Sequence, residues 1–175
     1  LYQHFFIEHN LGHHKNVATD KDPATSRLNE PIYFFWMRSV VGGYLNAWKL
    51  ETEKLRYLSL PFFSIHNQML LFTLCSIAYL SAIGLWFGIE ILLWSTLAST
   101  IGFLLLESVN YIEHYGLKRK ETGNGKFEPV LPCHSWNSNH EIGRIFLYEL
   151  TRHADHHYKS TRKYQVLRHF DESPQ

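Results

Sequence analysis

Hydrophobic and polar positions divide the chain unevenly. Across residues 69–106 apolar side chains run almost without a break, and Glu90 is the only formal charge. That run is nearly twice the ~20 residues one helix needs to cross a bilayer. At its middle, Gly84-Leu85-Trp86-Phe87-Gly88 supplies two glycines and aromatic rings of the kind that settle at a membrane interface. The pattern predicts a helical hairpin, with one span over 69–83 and a second over 90–106. A buried helix pair of a soluble protein is the competing reading. The run lacks the apolar and polar faces of a surface helix, which counts against it.

The flanking segments are mixed in character. Residues 31–56 predict a third helix, but Arg38 interrupts its apolar part, together with Gly42, Gly43 and Asn46. A central arginine costs at least ~2.5 kcal/mol in a bilayer, so this helix is expected to lie along the membrane surface. Residues 1–15 read as the end of a helix, and 16–30, with Asp22-Pro23, as a loop. Residues 118–137 carry Gly123-Asn124-Gly125 and two prolines, which predicts a loop or short hairpin. Ser138-Asn139-His140-Glu141 fits a capping box, serine followed three residues later by glutamate, and predicts a helix from there through His157. The expected class is all-α: a membrane hairpin plus cytoplasmic-face helices, with 110–175 forming a histidine-rich region.

Charge orients the hairpin. No lysine or arginine occurs within 57–117; Lys49, Lys54 and Arg56 precede that stretch, and Lys118, Arg119 and Lys120 follow it. By the positive-inside tendency both ends of the hairpin face the cytoplasm. The overall balance of 17 basic to 16 acidic residues gives no reason to expect nucleic acid. Cys75 and Cys133 make neither a disulfide framework nor a thiolate zinc site.

The 12 histidines change the picture. They concentrate in Glu8-His9-Asn10-Leu11-Gly12-His13-His14, in Glu113-His114 directly after the second span, and in His153-Ala154-Asp155-His156-His157. Residues three or four apart share a helix face, so each outer cluster can aim at least two imidazoles at one point. Apolar stripes lead into both: Phe5 and Phe6 before the first, and Ile142, Phe146 and Leu150 before the last. Gly12 leaves room for a neighbouring helix to approach. His9, His13, His14, His114, His153, His156 and His157 are therefore the candidate metal ligands, whereas His4, His66, His140 and His169 read as core or surface. His134 also falls outside the set. Seven imidazoles exceed the needs of one zinc ion, which points to two metals, although imidazole alone suits zinc, copper, iron or nickel. Glu8, Glu113 and Asp155 lie beside these histidines in sequence and are candidates to orient them from behind.

These runs, with Asn110-Tyr111-Ile112-Glu113-His114-Tyr115-Gly116, His134-Ser135-Trp136-Asn137-Ser138 and Thr161-Arg162-Lys163-Tyr164-Gln165, resemble the signature stretches of bacterial membrane alkane 1-monooxygenases. The histidine boxes alone are shared with membrane desaturases and related hydroxylases. The resemblance implies a larger six-span protein of the cell inner membrane, with its active-site face cytoplasmic. It further implies two iron ions and oxygen-dependent hydroxylation of medium-chain n-alkanes to primary alcohols. Electrons would come from rubredoxin, itself reduced by rubredoxin reductase, and Lys118, Arg119, Lys120, Arg144, Arg162 and Lys163 are candidates for its docking face. That family carries an earlier HxxxH box, which this sequence lacks. A fatty-acyl or carotenoid desaturase or hydroxylase, and a non-enzymatic membrane metal-binding protein, are the rival readings.

Overall fold

A computed structural model describes residues 1–175. The chain is mostly helical, with one two-stranded ribbon. The N-terminal helical segment, α1, joins an α turn at Phe5–Ile7, a π-helical stretch at Glu8–His13 and a second α turn at His14–Asn16. The side-chain amides of Asn10 and Asn16 donate to the carbonyls of Phe6 and Gly12, tying down both ends of the wide turn.

Helix α2, Ile32–Tyr57, starts behind Pro31, and Ser59, just past its end, takes a left-handed conformation (φ 55°). Its buried positions are Phe35, Ser39, Gly43, Ala47, Glu51 and Leu55, one every four residues. This is the row that one side of a helix presents to its neighbours. Three of the six are small, so α1 can lie close. A Cβ on Gly12 would come within 2.7 Å of both Asn46 Nδ2 and Glu8 Oε1. Arg38 does not face outward. Its guanidinium forks onto Glu30 at 2.6 and 2.9 Å and donates to the carbonyls of Pro23 and Thr25. The opposite side of α2 leaves Tyr33, Phe34, Met37 and Leu45 exposed.

Helix α3, Gln68–His114, is capped by Asn67, whose Oδ1 accepts from the Leu70 amide. It is two helical arms joined at Gly88, where φ is 84° and ψ 173°. A left-handed backbone of this kind suits glycine, which has no Cβ to clash. Near the turn the arms meet closely, since a Cβ on Gly84 would sit 3.3 Å from Leu92. Toward the open end the N-terminal residues lie between the arms. Gln3 accepts from Ser76 of the first arm, while Tyr2 stacks on Phe103 of the second at 4.7 Å and donates to Glu107. The helix is long and apolar enough to cross a membrane, and its most apolar window has no buried residue. Leu85, Trp86 and Ile89 at the turn are more than two-thirds exposed. Soluble monomers rarely show so large an apolar surface.

Beyond α3, strands β1 (Glu121–Gly123) and β2 (Lys126–Phe127) form the expected hairpin. Asn124 and Gly125 both have positive φ, as a two-residue hairpin turn requires. The helix expected from residue 138 through His157 is instead two short ones, α4 (Glu141–Phe146) and α5 (His153–Tyr158). The chain reverses between them at Tyr148 and Glu149 (φ 51° and 63°). Arg144 grips the Glu149 carboxylate with two 2.8 Å hydrogen bonds, and the Ser138 amide donates to the Thr151 carbonyl, closing the loop. The capping box does not form. Ser138 Oγ accepts from the His140 amide two residues on, and α4 starts without a side-chain cap. The stripe of Ile142 and Phe146 therefore ends exposed and never reaches His153.

Candidate metal centre

Three elements converge on one place: α1, the C-terminal end of α3, and α5. They bring together all seven candidate histidines, in two groups. His13, His114, His153 and His157 form a buried set, and His9, His14 and His156 a half-buried one, with the ligand atoms of each group within 4.8 Å of one another. In the buried set the Nε2 atoms form a closed ring. The spacings are 3.1 Å from His13 to His114, 3.1 Å to His153, 2.8 Å to His157 and 3.2 Å back to His13. In the other set Nε2 of His9 lies 3.3 Å from Nε2 of His156, and the rings of His14 and His156 are 4.6 Å apart.

The π-helical stretch explains why HxxxHH works as a unit. In an α-helix, positions 9 and 13 share a face, but position 14 falls about 140° round from position 9. The wider turn swings His14 back, so that its ring centroid is 4.7 Å from that of His9 and 6.1 Å from that of His13. π-bulges of this kind concentrate at functional sites. On α5 ordinary α spacing is enough, with His153, His156 and His157 lying three and four residues apart.

Burial sets the electrostatics. It pushes His114, His153 and His157 well below the usual imidazole range, and the neighbouring rings push the same way. His14 falls to about 3 and His156 to about 4 for the same reasons. His13 is the exception. Burial would lower it, but the Asp22 charge and hydrogen bond, with Glu8 and Glu107 adding to them, hold it above the usual value. Neutral imidazoles facing each other through Nε2 at about 3 Å oppose lone pairs, and Nδ1 of His114, His153 and His157 has no hydrogen-bond partner. A shared cation resolves the Nε2 conflict. Nitrogens spaced this way can surround a metal at the roughly 2 Å bond length usual for imidazole. The donor set fits a metal of the imidazole-binding group, zinc, copper, iron or nickel.

The carboxylates beside the histidines take different places. Asp22, buried in the 16–30 loop, accepts from His13 Nδ1 at 2.7 Å, from Thr25 Oγ1 at 2.5 Å and from the Ala24 amide at 3.0 Å. This carboxylate–histidine pair was not singled out from the sequence, where Asp22-Pro23 signals only a turn. Glu8 accepts from Asn46 and, with burial as the main cause, is pushed up to about 7. Glu113 Oε2 lies 3.3 Å from His153 Nε2, without the alignment of a hydrogen bond. Asp155 contacts no histidine nitrogen. It is gripped by Arg162 at 2.8 Å and by Arg168 through both side chain and backbone, which staples the C-terminal tail to α5.

The other histidines stay apart. Both ring nitrogens of His134 are occupied, one by the Leu131 amide and one by Glu128. His169 pairs with Asp171 and Asn137, His4 packs against Tyr2 and Tyr44, and His66 and His140 are exposed.

Comparison with known proteins agrees with this geometry. Alkane 1-monooxygenase 1 of Alcanivorax borkumensis is 44% identical over 173 residues, covering 99% of this chain and 43% of the relative. Alkane 1-monooxygenase of Acinetobacter baylyi is 44% identical over 174 residues, with the same coverage. The xylene/toluene monooxygenase hydroxylase component XylM of Pseudomonas putida is 28% identical over 169 residues, covering 97% of this chain and 44% of the relative. The chain thus spans less than half the length of the curated relatives it matches. A sequence profile of the fatty acid desaturase family matches residues 1–172, and the chain belongs to that family.

Proposed function

We propose that the complete protein hydroxylates the terminal carbon of medium-chain n-alkanes, using dioxygen and two irons held by the seven convergent histidines. One observation carries this reading: imidazoles from three separate elements point their ε-nitrogens at common centres. The names of the relatives supply the substrate class. The buried set offers four nitrogens and the half-buried set three, so further ligands for the second ion would come from length that the relatives have and this chain does not span.

Iron, when bound, supplies an oxidant strong enough for an alkane C–H bond, which no side-chain base can deprotonate. The residues of this chain do the rest. Asp22 fixes His13 with its Nδ1 proton turned back and its Nε2 turned to the centre. The burial of His114, His153 and His157 keeps them neutral, the form that ligates. The α3 hairpin crosses the inner membrane and α2 lies along its surface, so an apolar substrate arrives from lipid while the histidines face the cytoplasm. Rubredoxin is the proposed electron donor. Among the basic candidates, Arg144 and Arg162 are committed to Glu149 and Asp155, and Arg119 to backbone carbonyls of Lys15, Val17 and Glu128. Lys118, Lys120 and Lys163 are the better choices for a docking face.

The test uses the complete protein in membranes. It should hold two irons per chain and convert octane to 1-octanol when rubredoxin and its reductase are supplied. His153→Ala and His157→Ala should each lose iron and product together. Full iron content in these variants, or a double bond in place of an alcohol when acyl chains are offered, would defeat the reading.

A further inference from the structure

The loop between α2 and α3 is firmly tied, yet it turns its largest apolar side chains outward. Asn67, fully buried, donates from Nδ2 to the Phe62 carbonyl at 2.9 Å and caps α3 through Oδ1. Trp48 stacks on Phe62 with ring centroids 5.7 Å apart. Buried Glu51 accepts from the Gln68 amide at 2.8 Å and pairs with Lys54 at 2.6 Å, while the Leu60 amide donates to the Leu55 carbonyl. On this frame Tyr57, Phe63 and Ile65 are each more than three-quarters exposed. An ordered loop that holds such side chains in the open has an apolar environment to meet. Its depth says which. The arm from Gln68 to Gly88 rises ~1.5 Å per residue, so it is ~30 Å long, the thickness of a bilayer's hydrocarbon core. With the Gly88 turn at one face of the membrane, the loop lies at the headgroups of the other.

Beside the loop is a groove of about 580 Å³. Leu58, Ile65 and Leu71 give it apolar walls, and Lys54, His66 and Gln68 polar ones. The polar residues gather round the Lys54 ammonium, which lies 3.5 Å from the His66 carbonyl and shares Glu51 with the Gln68 amide. They are open to a ligand: His66 and Gln68 are exposed, as is a third of the Lys54 side chain. Leu71 leads onto Leu74 and Cys75, exposed positions three and four residues further along the arm. The groove thus joins a cationic, hydrogen-bonding end to an apolar end that runs into lipid. No carboxylate lines it, so nothing there balances a choline or ethanolamine ammonium. We propose that the groove binds an anionic glycerophospholipid of the cytoplasmic leaflet. Its phosphate sits on Lys54, His66 and Gln68, and the first part of an acyl chain lies along Leu58, Ile65 and Leu71. This inference rests on the membrane-crossing reading of α3 above and is independent of the reaction at the histidines.

The experiment is photolabelling of the complete protein in detergent micelles with phosphatidylglycerol that carries a diazirine near the carboxyl end of one acyl chain. Labels should fall on Leu58, Ile65 or Leu71. Unlabelled phosphatidylglycerol should displace them about fivefold better than phosphatidylcholine, matching the ~1 kcal/mol that one lysine gains beside anionic headgroups. Labels on Leu85, Trp86 and Ile89 at the turn should be displaced equally by both lipids, because chance contact has no headgroup preference. Lys54→Gln keeps a donor for Glu51 and removes the cation. The two lipids should then compete equally at the groove, with circular dichroism unchanged. Should that variant fail to fold, the wild-type label positions and the competition ratio decide the matter alone. Equal displacement at the wild-type groove, or no label there, would overturn the inference. Labelling of the turn without the groove refutes this site and leaves α3 in the membrane, whereas absence of label from both defeats the membrane reading as well.

Discussion

Replacing Asp22 with asparagine isolates the charge behind His13. The side chains have nearly the same shape, and an asparagine Oδ1 can still accept from the Ala24 amide, so the turn survives. The negative charge facing His13 Nδ1 at 2.7 Å is lost. Removing a carboxylate that orients a metal-bound histidine typically lowers metal affinity 10–100-fold, or about 1.4–2.7 kcal/mol. The upper half of that range is expected here. Asp22 is buried, and His13 is the only member of the buried set whose Nδ1 is held by a partner. Asp22→Ala should cost more, because it strips the acceptor from His13, Thr25 and Ala24 together, and breaking a buried pair costs about 3–5 kcal/mol.

The assay is competition for iron against a chelator of known affinity, run on the complete protein with thermal melting alongside. Asp22→Asn should release iron at 10–100-fold lower chelator strength, and its metal-free melting temperature should fall less than that of Asp22→Ala. The control is Asp20→Asn. Asp20 is exposed, 3.7 Å from the equally exposed Lys118, and should change nothing. Wild-type iron affinity in Asp22→Asn would refute the claim that this carboxylate holds His13 for a metal.

Further outcomes follow from the same geometry. Gly12→Ala should lower stability by about 1–3 kcal/mol, read as a fall in melting temperature, because its Cβ would press on Asn46 and Glu8 at 2.7 Å; an unchanged melt would show that α1 and α2 are not so closely packed. The metal-free protein should lose stability as pH falls from about 6.5 toward 4. Burial depresses His4 and His156 to about 4 and His14 to about 3, so at these rings the unfolded chain takes up protons first; the upward-shifted His13, Glu8 and Glu113 oppose this but are outnumbered by the depressed rings, His114, His153 and His157 among them. A melting temperature independent of pH over that window would refute the burial of these rings. With Cys75 and Cys133 replaced, Phe87→Cys at the α3 turn should react with an impermeant thiol reagent from outside the cell and Lys118→Cys should not; labelling of the two positions from opposite sides to these would invert the proposed topology.

The legible parts of this molecule share one property: they depend on residues close together in sequence. The hairpin was readable because Gly84 and Gly88, with aromatic rings between them, sit at the centre of an apolar run long enough for two spans. The β-turn was readable because Asn124-Gly125 carries its own backbone preference. Most of the histidine set was readable because spacing puts His9 with His13, and His153 with His156 and His157, on shared faces, while His14 needs the π turn and His114 its place after the second span; Gly12 marked where α1 and α2 meet. What escaped depends on partners far away. Nothing local says that Glu8–His13 will wind as a π-helix; it does so while packed against α2 and in company with α3 and α5. Nothing near Asp22 shows that its second role, beyond the turn, is His13. The break at Tyr148 and Glu149 has no glycine or proline to announce it. It is held by the Arg144–Glu149 pair and by the amide of Ser138 reaching Thr151, so periodicity read straight through it. The capping box misled for the same reason, its serine being drawn into a local turn instead.

The carboxylates that were hard to place gain a common logic once charge is counted. Neutral imidazoles bring no charge to a metal, so two divalent cations on the proposed ligands would leave a large positive charge in a buried site unless anions stand behind them. Asp22, Glu8, Glu107 and Glu113 are all buried, and none pairs with a lysine or an arginine. Asp22 reaches His13 directly, Glu8 and Glu107 act on it through their charge, and Glu113 adjoins His153. Asp155 is the contrast that gives the pattern meaning. It sits between candidate ligand histidines in sequence, yet Arg162 and Arg168 already neutralise it, and it contacts no histidine nitrogen. Adjacency to a histidine in sequence thus does not decide which carboxylate serves the site. What decides is whether a cation of the protein has already claimed it. By that criterion Asp22, Glu8, Glu107 and Glu113 are the carboxylates left to offset the metal charge, on the side of the histidine cluster made by α1, the loop after it and the end of α3.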